Sequence, residues 1–411
     1  MAELKIEVEP REVGFDPDRL ARVDRHFAPY VDDGRLPGWL IMVSRGGKVA
    51  HLGMYGQRDM EAGLPVESDT IFRIYSMTKP ITSVAAMMLY EEGAFELADP
   101  VSRFIPSFAD MRVYLRGSSY APATEPVTEP VRLWHLLTHT SGLTYGFHYA
   151  HPVDGMYREA GFEIGGPRGM DLAACCDAWA RLPLLFQPGA EWNYGVSTDV
   201  LGRVIEVISG QPLDAFLDER IFGPLGMTDT AFFADDSRVD RLAALYAAET
   251  HTGRAAPYTS LGRGALRRPE YLSGGGGLVS TVADYHRFTQ MLLRGGELEG
   301  ARLLSPRTVR YMSRNHLPGG ADLDAFGRPL HAESTFQGMG FGLGFAVLED
   351  PVANKVLSSP GELSWGGLAS TAFWIDPAEE VTAVFLTQLI PSSTHPIRSQ
   401  LRQLVYQALI D

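Results

Sequence analysis

A serine and a lysine three residues apart stand at the start of a long apolar run. Ser76 and Lys79 lie in the segment 74–80, and the run 81–90 after it predicts a helix that ends near Gly93. Side chains with this spacing share one face of a helix. A hydroxyl held beside an amine can form an activated nucleophile, whereas a serine cap followed by a surface lysine is the simpler alternative. Lysine is scarce, and only Lys79 has a serine three residues before it. Both interpretations stay open at this point.

Size and charge limit the class of protein. A chain of 411 residues with 45% hydrophobic content can bury a large core and is predicted to form two structural lobes. The formal charge of −14 argues against nucleic acid or an anionic membrane as a partner, because phosphate binding needs clustered lysine and arginine. The N-terminus lacks the pattern of a signal peptide, and no apolar run approaches the ~20 residues that span a bilayer. We therefore expect a soluble, cytoplasmic protein; its oligomeric state stays open.

The two cysteines are consistent with a cytoplasmic location. Cys175 and Cys176 are adjacent in a segment with helical spacing. A disulfide between neighbouring residues of a helix would be badly strained. We therefore expect two reduced core cysteines, which fits a reducing compartment.

The order of the predicted elements indicates one sheet built from both ends of the chain. Residues 39–44 and 49–55 flank the turn 45–48 and predict a β-hairpin. The C-terminal part is rich in strands and ends in an amphipathic helix. We therefore predict an α+β fold, in which an antiparallel sheet is flanked by helices and a mainly helical lobe is inserted. The predicted C-terminal elements are strands at 342–348, 370–375 and 381–386, and a helix at 397–409.

The middle of the chain predicts helices and loops. Residues 133–137, 171–182 and 198–209 have helical spacing, and another helix is expected at 281–294. Stretches rich in proline and glycine predict surface loops, or flaps over a cleft, at 117–130 and 151–169. The predicted lobes are 1–93 together with 271–411, which carries the sheet and the Ser76 helix at the lobe interface, and 94–270, which carries Tyr194.

A serine–lysine pair needs a further group to move protons between the nucleophile, the leaving group and water. The segment 187–197 offers Tyr194, which follows a Pro188-Gly189 turn and precedes a helix. Most of the sixteen tyrosines are expected to be packing residues, so the position of Tyr194 alone does not identify it as the proton-transfer group. A developing oxyanion also needs backbone N–H donors. The segment 363–368 fits, because glycines at a strand let a backbone edge approach the reacting carbonyl closely.

Five motifs occur in one order along the chain. They are Ser76-Met-Thr-Lys79, Leu136-Leu-Thr-His-Thr-Ser-Gly-Leu143, Pro188-Gly-x-x-Trp-x-Tyr194, Ser273-Gly-Gly-Gly-Gly-Leu-Val-Ser-Thr281 and Trp365-Gly-Gly367. Ser-x-x-Lys is the motif of penicillin-binding proteins and serine β-lactamases. Together the motifs resemble β-lactamase-related serine hydrolases, and among them the family VIII carboxylesterases. The resemblance runs from about residue 15 to the C-terminus and implies the β-lactamase/transpeptidase-like fold.

The resemblance implies a role for each catalytic residue. Ser76 would attack an ester carbonyl and form an acyl-enzyme. Lys79 would hold Ser76 and Tyr194 in a shared proton network, and Tyr194 would act as base and then as acid toward the leaving alcohol. The backbone N–H groups of Ser76 and Leu368 would form the oxyanion hole. Which of Lys79 and Tyr194 takes the first proton stays open, because strongly coupled groups titrate as a unit.

Two departures from the family pattern bear on the substrate. Class C β-lactamases have an asparagine two residues after the tyrosine, whereas this chain reads Tyr194-Gly195-Val196. They also have Lys-Thr-Gly on the facing strand, where this chain has Trp365-Gly366-Gly367. An aromatic surface thus replaces the cation that would hold a carboxylate. A neutral, fairly apolar ester is expected to suit this site better than an anionic substrate.

Further candidates concern the pocket, metals and cofactors. No metal or cofactor is expected: His135 and His139 are four apart but lack a third ligand, so structural roles are favoured. The glycines at 274–277 are not followed by Gly-Lys-Ser/Thr, so a strand-edge turn near the cleft is favoured over a phosphate site.

The expected substrate-binding residues are Trp365, Gly366, Gly367, Tyr75, Phe147, His148, Tyr149 and Trp192.

The leading functional prediction is a serine esterase that cleaves small carboxylic esters. The first alternative is an acyltransferase, in which an alcohol replaces water as acyl acceptor. A weak β-lactamase or D-amino-acid peptidase comes third, because Lys-Thr-Gly is missing. A non-catalytic scaffold with the same fold comes last, because packing alone would not preserve a hydroxyl, an amine and a phenol together.

Overall fold

The strands of the protein fall mainly near the two ends of the chain. The computed structural model describes residues 4–328 and 335–411. Short strand pairs occur in the part between. In chain order the strands are β1 (Gly38–Arg45), β2 (Lys48–Asp59), β3 (Leu64–Pro65), β4 (Phe72–Arg73), β5 (Arg112–Gly117), β6 (Pro122–Pro126), β7 (Tyr246–Ala248), β8 (Ala255–Pro257), β9 (Val279–Ser280), β10 (Glu297–Leu298), β11 (Ala301–Arg302), β12 (Met339–Phe341), β13 (Ala346–Leu348), β14 (Leu363–Gly366), β15 (Ala372–Asp376), β16 (Val381–Leu386) and β17 (Leu389–Ile390).

Helices fill most of the central part of the chain and close its C-terminus. Several of them begin with a side-chain cap, as Asp16 does for the first. In chain order the α-helices are α1 (Pro17–Leu20), α2 (Arg22–Asp32), α3 (Thr78–Glu91), α4 (Leu133–Leu137), α5 (Pro152–Glu159), α6 (Leu172–Trp179), α7 (Ser197–Ser209), α8 (Leu213–Leu217), α9 (Gly223–Leu225), α10 (Thr259–Gly262), α11 (Val282–Leu293), α12 (Pro306–Met312), α13 (Leu323–Phe326), α14 (Pro351–Asn354) and α15 (Ile397–Tyr406).

One large sheet joins the two ends of the chain. Among the described residues, eight strands pair in the order β12-β13-β14-β15-β16-β1-β2-β3. Every neighbouring pair in it is antiparallel. Strand β1 lies between β2, which follows it in a hairpin, and β16, which comes from the far end of the sequence. The predicted α+β fold with an antiparallel sheet from both termini is confirmed.

Both faces of this sheet are covered, and the sequence of β1 is accordingly apolar on both faces. Trp39, Ile41 and Val43 pack in a core formed with α2 and α15. Leu40 and Met42 point to the opposite face and join the larger core that contains α3 and α11. Neighbouring residues of a strand face opposite sides of the sheet. An almost continuous apolar strand therefore indicates two buried faces, as observed.

Helix α3 is buried along almost its whole length. All residues from Thr78 to Leu89 are inaccessible or nearly so, including Lys79. A helix that is apolar on all sides belongs in a core. Pro80 is tolerated because it lies in the first turn, where a backbone N–H has no partner within the helix. The helix therefore forms a rigid support for the residues at its N-terminal end.

Three local predictions need correction. The predicted surface loop 151–169 contains α5, which begins with a His151 cap and has Pro152 at its first position, both favourable for a helix start. The predicted loop 117–130 contains β6, which pairs with β5. The single strand predicted for 342–348 is instead the end of a hairpin, because Gly344, with φ of 103°, lets the chain turn between β12 and β13.

The lobe boundaries at 93 and 270 stay a prediction. The strands of the large sheet all belong to the ranges 1–93 and 271–411, and α4 to α10 belong to 94–270. The larger core contains side chains from both, such as Ile81 and Val200. In residues 4–328 and 335–411, no helix has the length and apolar character needed to cross a bilayer.

Candidate active site

The candidate nucleophile lies in a strained turn at the head of the buried helix. Ser76 belongs to a 3₁₀ turn, Tyr75–Met77, directly before α3, rather than to the α-helix itself. The backbone of Tyr75 is in the left-handed region, with φ of 43°, which is costly for a bulky side chain. The buried Tyr285 hydroxyl donates to the Met77 carbonyl oxygen (3.0 Å) and holds this turn in place. The serine is therefore fixed by the protein's core.

Lys79 connects the serine to two other parts of the chain. Its side chain is only 1% exposed. Its Nζ donates to Ser76 Oγ (3.2 Å), to the Tyr145 hydroxyl (3.1 Å) and to the Gly275 carbonyl oxygen (2.7 Å). Three contacts surround the Lys79 amine and fix its position in the site.

Tyr194 lies on the other side of the same lysine. Lys79 Nζ stands 4.4 Å from the centroid of the Tyr194 ring, and the Tyr194 hydroxyl accepts a hydrogen bond from Trp365 Nε1 (3.2 Å). Tyr194 is nearly buried. The structure thus brings Ser76, Lys79 and Tyr194 into one crevice, although the lysine meets Tyr194 at its ring face and not at its oxygen.

Tyr145 is the phenol whose oxygen contacts Lys79, and sequence reasoning missed it. Its ring packs edge-on against Tyr194, with centroids 5.4 Å apart, and stacks on Phe147 (4.7 Å). Burial, with Asp199 and Tyr194 nearby, raises the pKa of Tyr145 well above its usual range. Tyr145 therefore stays protonated and serves the lysine as a neutral partner. The only signal was its position two residues after the motif that ends at Leu143.

A buried carboxylate holds the glycine-rich turn against the lysine. Asp199 Oδ1 accepts hydrogen bonds from the Tyr271 hydroxyl (2.6 Å), Ser273 Oγ (2.6 Å) and the Gly275 N–H (3.0 Å). A Cβ at Gly275 would lie 2.4 Å from Asp199 Oδ2, so only glycine fits there. The carbonyl of Gly275 then binds Lys79. Sequence reasoning missed Asp199 because an acidic residue in the first turn of a helix is common for dipole reasons alone.

The Trp365-Gly366-Gly367 turn packs directly on the backbone before the serine. A Cβ at Gly367 would lie 2.4 Å from the Ile74 carbonyl oxygen, so the close approach requires glycine. The next residue, Leu368, lines the same cavity as Ser76. No residue in the described part of the chain accepts a hydrogen bond from the Leu368 N–H. The two amides predicted for the oxyanion hole therefore belong to segments in contact.

The site opens into a cavity of about 660 Å³ with mainly apolar walls. That volume suits a drug-sized organic ligand. The predicted pocket residues found in its wall are Tyr75, Phe147, His148, Trp365, Gly366 and Gly367.

Two residues predicted for the pocket lie outside its wall. Trp192 is fully buried and stacks behind Tyr194, with ring centroids 6.1 Å apart, so it supports the phenol from the core. Tyr149 is 64% exposed, its hydroxyl donates to Glu163, and the Arg158 guanidinium lies 3.8 Å from its ring centroid. Its backbone, with φ of 54°, turns the side chain to the surface.

The contacts of His135 and His139 indicate structural roles for both residues. His135 Nδ1 accepts the Arg132 N–H (3.0 Å), and burial lowers the pKa of His135 to about 3. The backbone carbonyl of His139 accepts the Asn193 N–H (2.9 Å), and its ring packs against Tyr194 (4.9 Å). Burial lowers the pKa of His139 well below its usual range. Within residues 4–328 and 335–411 no three His, Cys, Asp or Glu side chains are grouped as a metal site would need.

A serine and a lysine at the head of a buried helix, facing a glycine-containing strand edge, define a serine hydrolase of the β-lactamase type. The Beta-lactamase family model matches residues 23–407, and the chain belongs to this family. This confirms the family resemblance expected from the five motifs.

Three similar proteins each cover most of the chain, and the names of two of them state an activity. It is 31% identical to Esterase EstB of Burkholderia gladioli, over 97% of this chain and 98% of that one. It is 36% identical, over 88% of each chain, to Uncharacterized protein MT1414 of Mycobacterium tuberculosis. The solved structure of EstCE1, a hydrolase with promiscuous acyltransferase activity, matches with a TM-score of 0.80 and 28% identity, covering 95% of this chain and 99% of that one.

Proposed function

We propose that this protein is a serine carboxylesterase that hydrolyses small, fairly apolar carboxylic esters through an acyl-enzyme on Ser76. The observation that carries the proposal is the contact of Lys79 Nζ with Ser76 Oγ (3.2 Å) at the wall of a mainly apolar cavity. Such a pair is an activated nucleophile, and a neutral ester fits walls of this kind. The similarity to an esterase and to a second hydrolase supports the same conclusion.

Acylation follows from the contacts around the serine. Ser76 Oγ attacks the ester carbonyl carbon while its proton passes into the network of Lys79 and Tyr194. The carbonyl oxygen becomes an oxyanion and accepts the N–H groups of Ser76 and Leu368. The bond to the alcohol oxygen then breaks, and the alcohol leaves with a proton from the same network.

Deacylation repeats these steps with water. Water attacks the acyl carbon and gives a proton to the network of Lys79 and Tyr194. The bond to Ser76 Oγ breaks, the serine regains its proton, and the carboxylic acid leaves. Because the lysine is held by Tyr145 and Gly275 throughout, it needs no rearrangement between the two halves of the reaction.

An acyltransferase is the second candidate, and similarity to EstCE1 favours it specifically. In that case an alcohol takes the place of water in the second half of the reaction. A cavity of about 660 Å³ has room for an acyl group and an acceptor together. A weak β-lactamase or D-amino-acid peptidase and a non-catalytic scaffold remain as lower-ranked alternatives.

The direct test is turnover of 4-nitrophenyl acetate and butyrate, followed by nitrophenol release. We expect multiple turnovers on at least one of these esters. Adding an excess of a primary alcohol should leave free acid as the main product if the enzyme is a hydrolase; a predominant transfer ester would favour the acyltransferase. Lack of turnover with every chain length from acetate to octanoate would reject both and support the scaffold.

Tyr194→Phe is expected to lower kcat by roughly 10² to 10³, because the variant keeps the ring beside Lys79 but loses the hydroxyl that exchanges protons. Tyr145→Phe is the matched control: its phenol stays protonated, so we expect a loss of about tenfold or less from a weakened lysine contact. The measurement is kcat with 4-nitrophenyl butyrate, with circular dichroism as a check of folding. The reverse order of effects would make Tyr145 the proton carrier.

For the cellular setting we propose a small-molecule ester as partner and a cytoplasmic location. The two cysteines, Cys175 and Cys176, are buried and not bonded to each other. Reduced, adjacent cysteines support a reducing compartment.

A further inference from the structure

A buried carboxylate forms part of the cavity wall beside the glycine-rich turn 274–277. Asp199 lines the cavity together with Tyr271, Ser273 and Gly275, although the aspartate is only 1% exposed. The walls of the cavity are mainly apolar. A carboxylate taken out of water is costly unless both of its oxygens find donors. The partners of the two oxygens therefore show whether the protein satisfies this group completely.

The donors supplied by the protein all meet the same oxygen. In residues 4–328 and 335–411, Asp199 Oδ1 accepts the Tyr271 hydroxyl and Ser273 Oγ (both 2.6 Å) and the Gly275 N–H (3.0 Å), whereas Oδ2 accepts no hydrogen bond. Burial, with Asp199 close by, raises the pKa of Tyr271 well above its usual range, so that phenol stays a donor. A Cβ at Gly275 would lie 2.4 Å from Oδ2, which places this oxygen directly against the glycine turn. Asp199 thus keeps one oxygen for a further donor.

The glycine turn lies next to the backbone that receives the ester carbonyl. A Cβ at Gly276 would lie 3.9 Å from the Ser76 nitrogen, which is ordinary van der Waals contact, so the turn passes beside an amide assigned to the oxyanion hole. Tyr194, which belongs to the network that protonates the leaving alcohol, is instead bonded to Trp365. The part of the wall that contains Asp199 is therefore on the acyl side of the site.

We propose that Asp199 forms a subsite for a hydroxyl group carried by the acyl part of the ester. A hydroxyl donates to a carboxylate oxygen in a charge-assisted bond that is roughly twice as strong as a neutral one. Two of the three donors that already surround the group are hydroxyls, and a neutral hydroxyl enters an apolar cavity at a lower desolvation cost than an ammonium group. The site then takes esters of short hydroxy acids besides plain acyl esters. The proposal rests on the proposed function, because it concerns the acyl side of the same cavity.

The test compares 4-nitrophenyl 3-hydroxybutanoate, as each enantiomer, with 4-nitrophenyl 3-methylbutanoate, in which a methyl group replaces the hydroxyl. We measure kcat/KM by nitrophenol release in the native protein and in Asp199→Asn, which keeps the shape of the side chain but removes its charge. The ratio of hydroxy to methyl ester cancels general effects of the variant, including a looser glycine turn. We expect Asp199→Asn to lower this ratio by about tenfold for at least one enantiomer. The 2-hydroxypropanoate and 2-methylpropanoate esters form a second pair, with the hydroxyl one carbon nearer the carbonyl.

Ser273→Ala is the matched control for the glycine turn. It removes a donor from Oδ1 and weakens the hold on the same turn, but the carboxylate stays in place. The ratio should therefore stay as in the native protein, even where kcat falls for both esters. Asp177→Asn controls for net charge, because Asp177 is exposed on α6 and lies outside the cavity wall.

Four results would contradict the proposal in different ways. An unchanged ratio in Asp199→Asn for both pairs, or turnover of neither pair while 4-nitrophenyl butyrate is hydrolysed, would overturn the hydroxyl subsite and leave the esterase proposal standing. A ratio lowered equally in Ser273→Ala would mean that the shape of the turn, and not the carboxylate, selects the hydroxyl. A stronger native preference for 4-nitrophenyl 3-aminobutanoate, lost in Asp199→Asn, would replace the hydroxyl by a cation. Turnover of no nitrophenyl ester would overturn both proposals.

Discussion

Ser76→Ala is expected to abolish ester turnover while leaving the fold intact. The substitution removes one hydroxyl from a turn that the Tyr285–Met77 hydrogen bond continues to hold. Without Oγ no acyl-enzyme can form, and the remaining groups can only assist direct attack by water. Nucleophile knockouts of this kind lower kcat by roughly 10⁵ or more. The measurement is kcat with 4-nitrophenyl butyrate, together with thermal unfolding of both proteins.

A serine on the same helix provides the control. Ser83 is buried on α3, and its Oγ has no hydrogen-bond partner among the described residues, so Ser83→Ala should keep near-native activity. A serine-reactive phosphonate followed by peptide mass spectrometry should label the native protein and Ser83→Ala at Ser76, and should not label Ser76→Ala. Label on another serine, or activity in Ser76→Ala, would contradict the assignment of the nucleophile.

The fold could be predicted from the sequence wherever the pattern of apolar residues in a segment is clear. The hairpin around residues 45–48 and the helix after Thr281 appear as expected. Apolar runs on both sides of a glycine-containing turn predict the hairpin, and apolar residues that repeat every three to four positions predict the helix. The short segment 342–348 was ambiguous, since a tight turn at a glycine leaves the apolar pattern unbroken on both sides. In this segment the prediction failed because the backbone conformation of one residue, Gly344, decided the structure.

The candidate site also contains residues that could be predicted from the sequence and residues that could not. Ser76, Lys79 and Tyr194 stand in motifs with fixed spacing, so they could be chosen from the sequence. Tyr145 and Asp199 could not, because their importance arises from contacts across the fold: Tyr145 reaches Lys79 over 66 positions, and Asp199 reaches Gly275 over 76. No spacing rule connects such pairs.

Pocket residues were the least predictable part. Trp192 is an aromatic residue of the Pro188–Tyr194 motif and Tyr149 follows another motif closely in sequence, and both are weak criteria for a pocket residue. Tyr149 turns to the surface through a left-handed backbone, and Trp192 stacks on the far side of Tyr194. Conversely, Arg398 comes from the last helix and lines the cavity close to Gly366. Side-chain direction, rather than proximity in sequence, decides which residues line the cavity.

Lys79→Met is expected to lower kcat by roughly 10³ or more, the second largest effect. Methionine fills similar space but offers no N–H, so Ser76 Oγ loses the group that accepts or relays its proton. The Gly275 carbonyl also loses its donor in a buried position, which should lower the free energy of unfolding by about 1–3 kcal/mol. The two losses are measured separately, by steady-state kinetics and by urea unfolding.

The rate of phosphonate labelling distinguishes a chemical role of Lys79 from a structural one. If the lysine activates the nucleophile, labelling of Ser76 in Lys79→Met should slow in parallel with kcat, at temperatures where the variant is folded. Lys48→Met is the control, since Lys48 is exposed in the first hairpin and its removal changes the net charge equally. Native labelling rates in Lys79→Met, together with reduced unfolding free energy, would mean that the lysine only holds the glycine turn. The proton network, and with it the assignment of Tyr194, would then have to be abandoned.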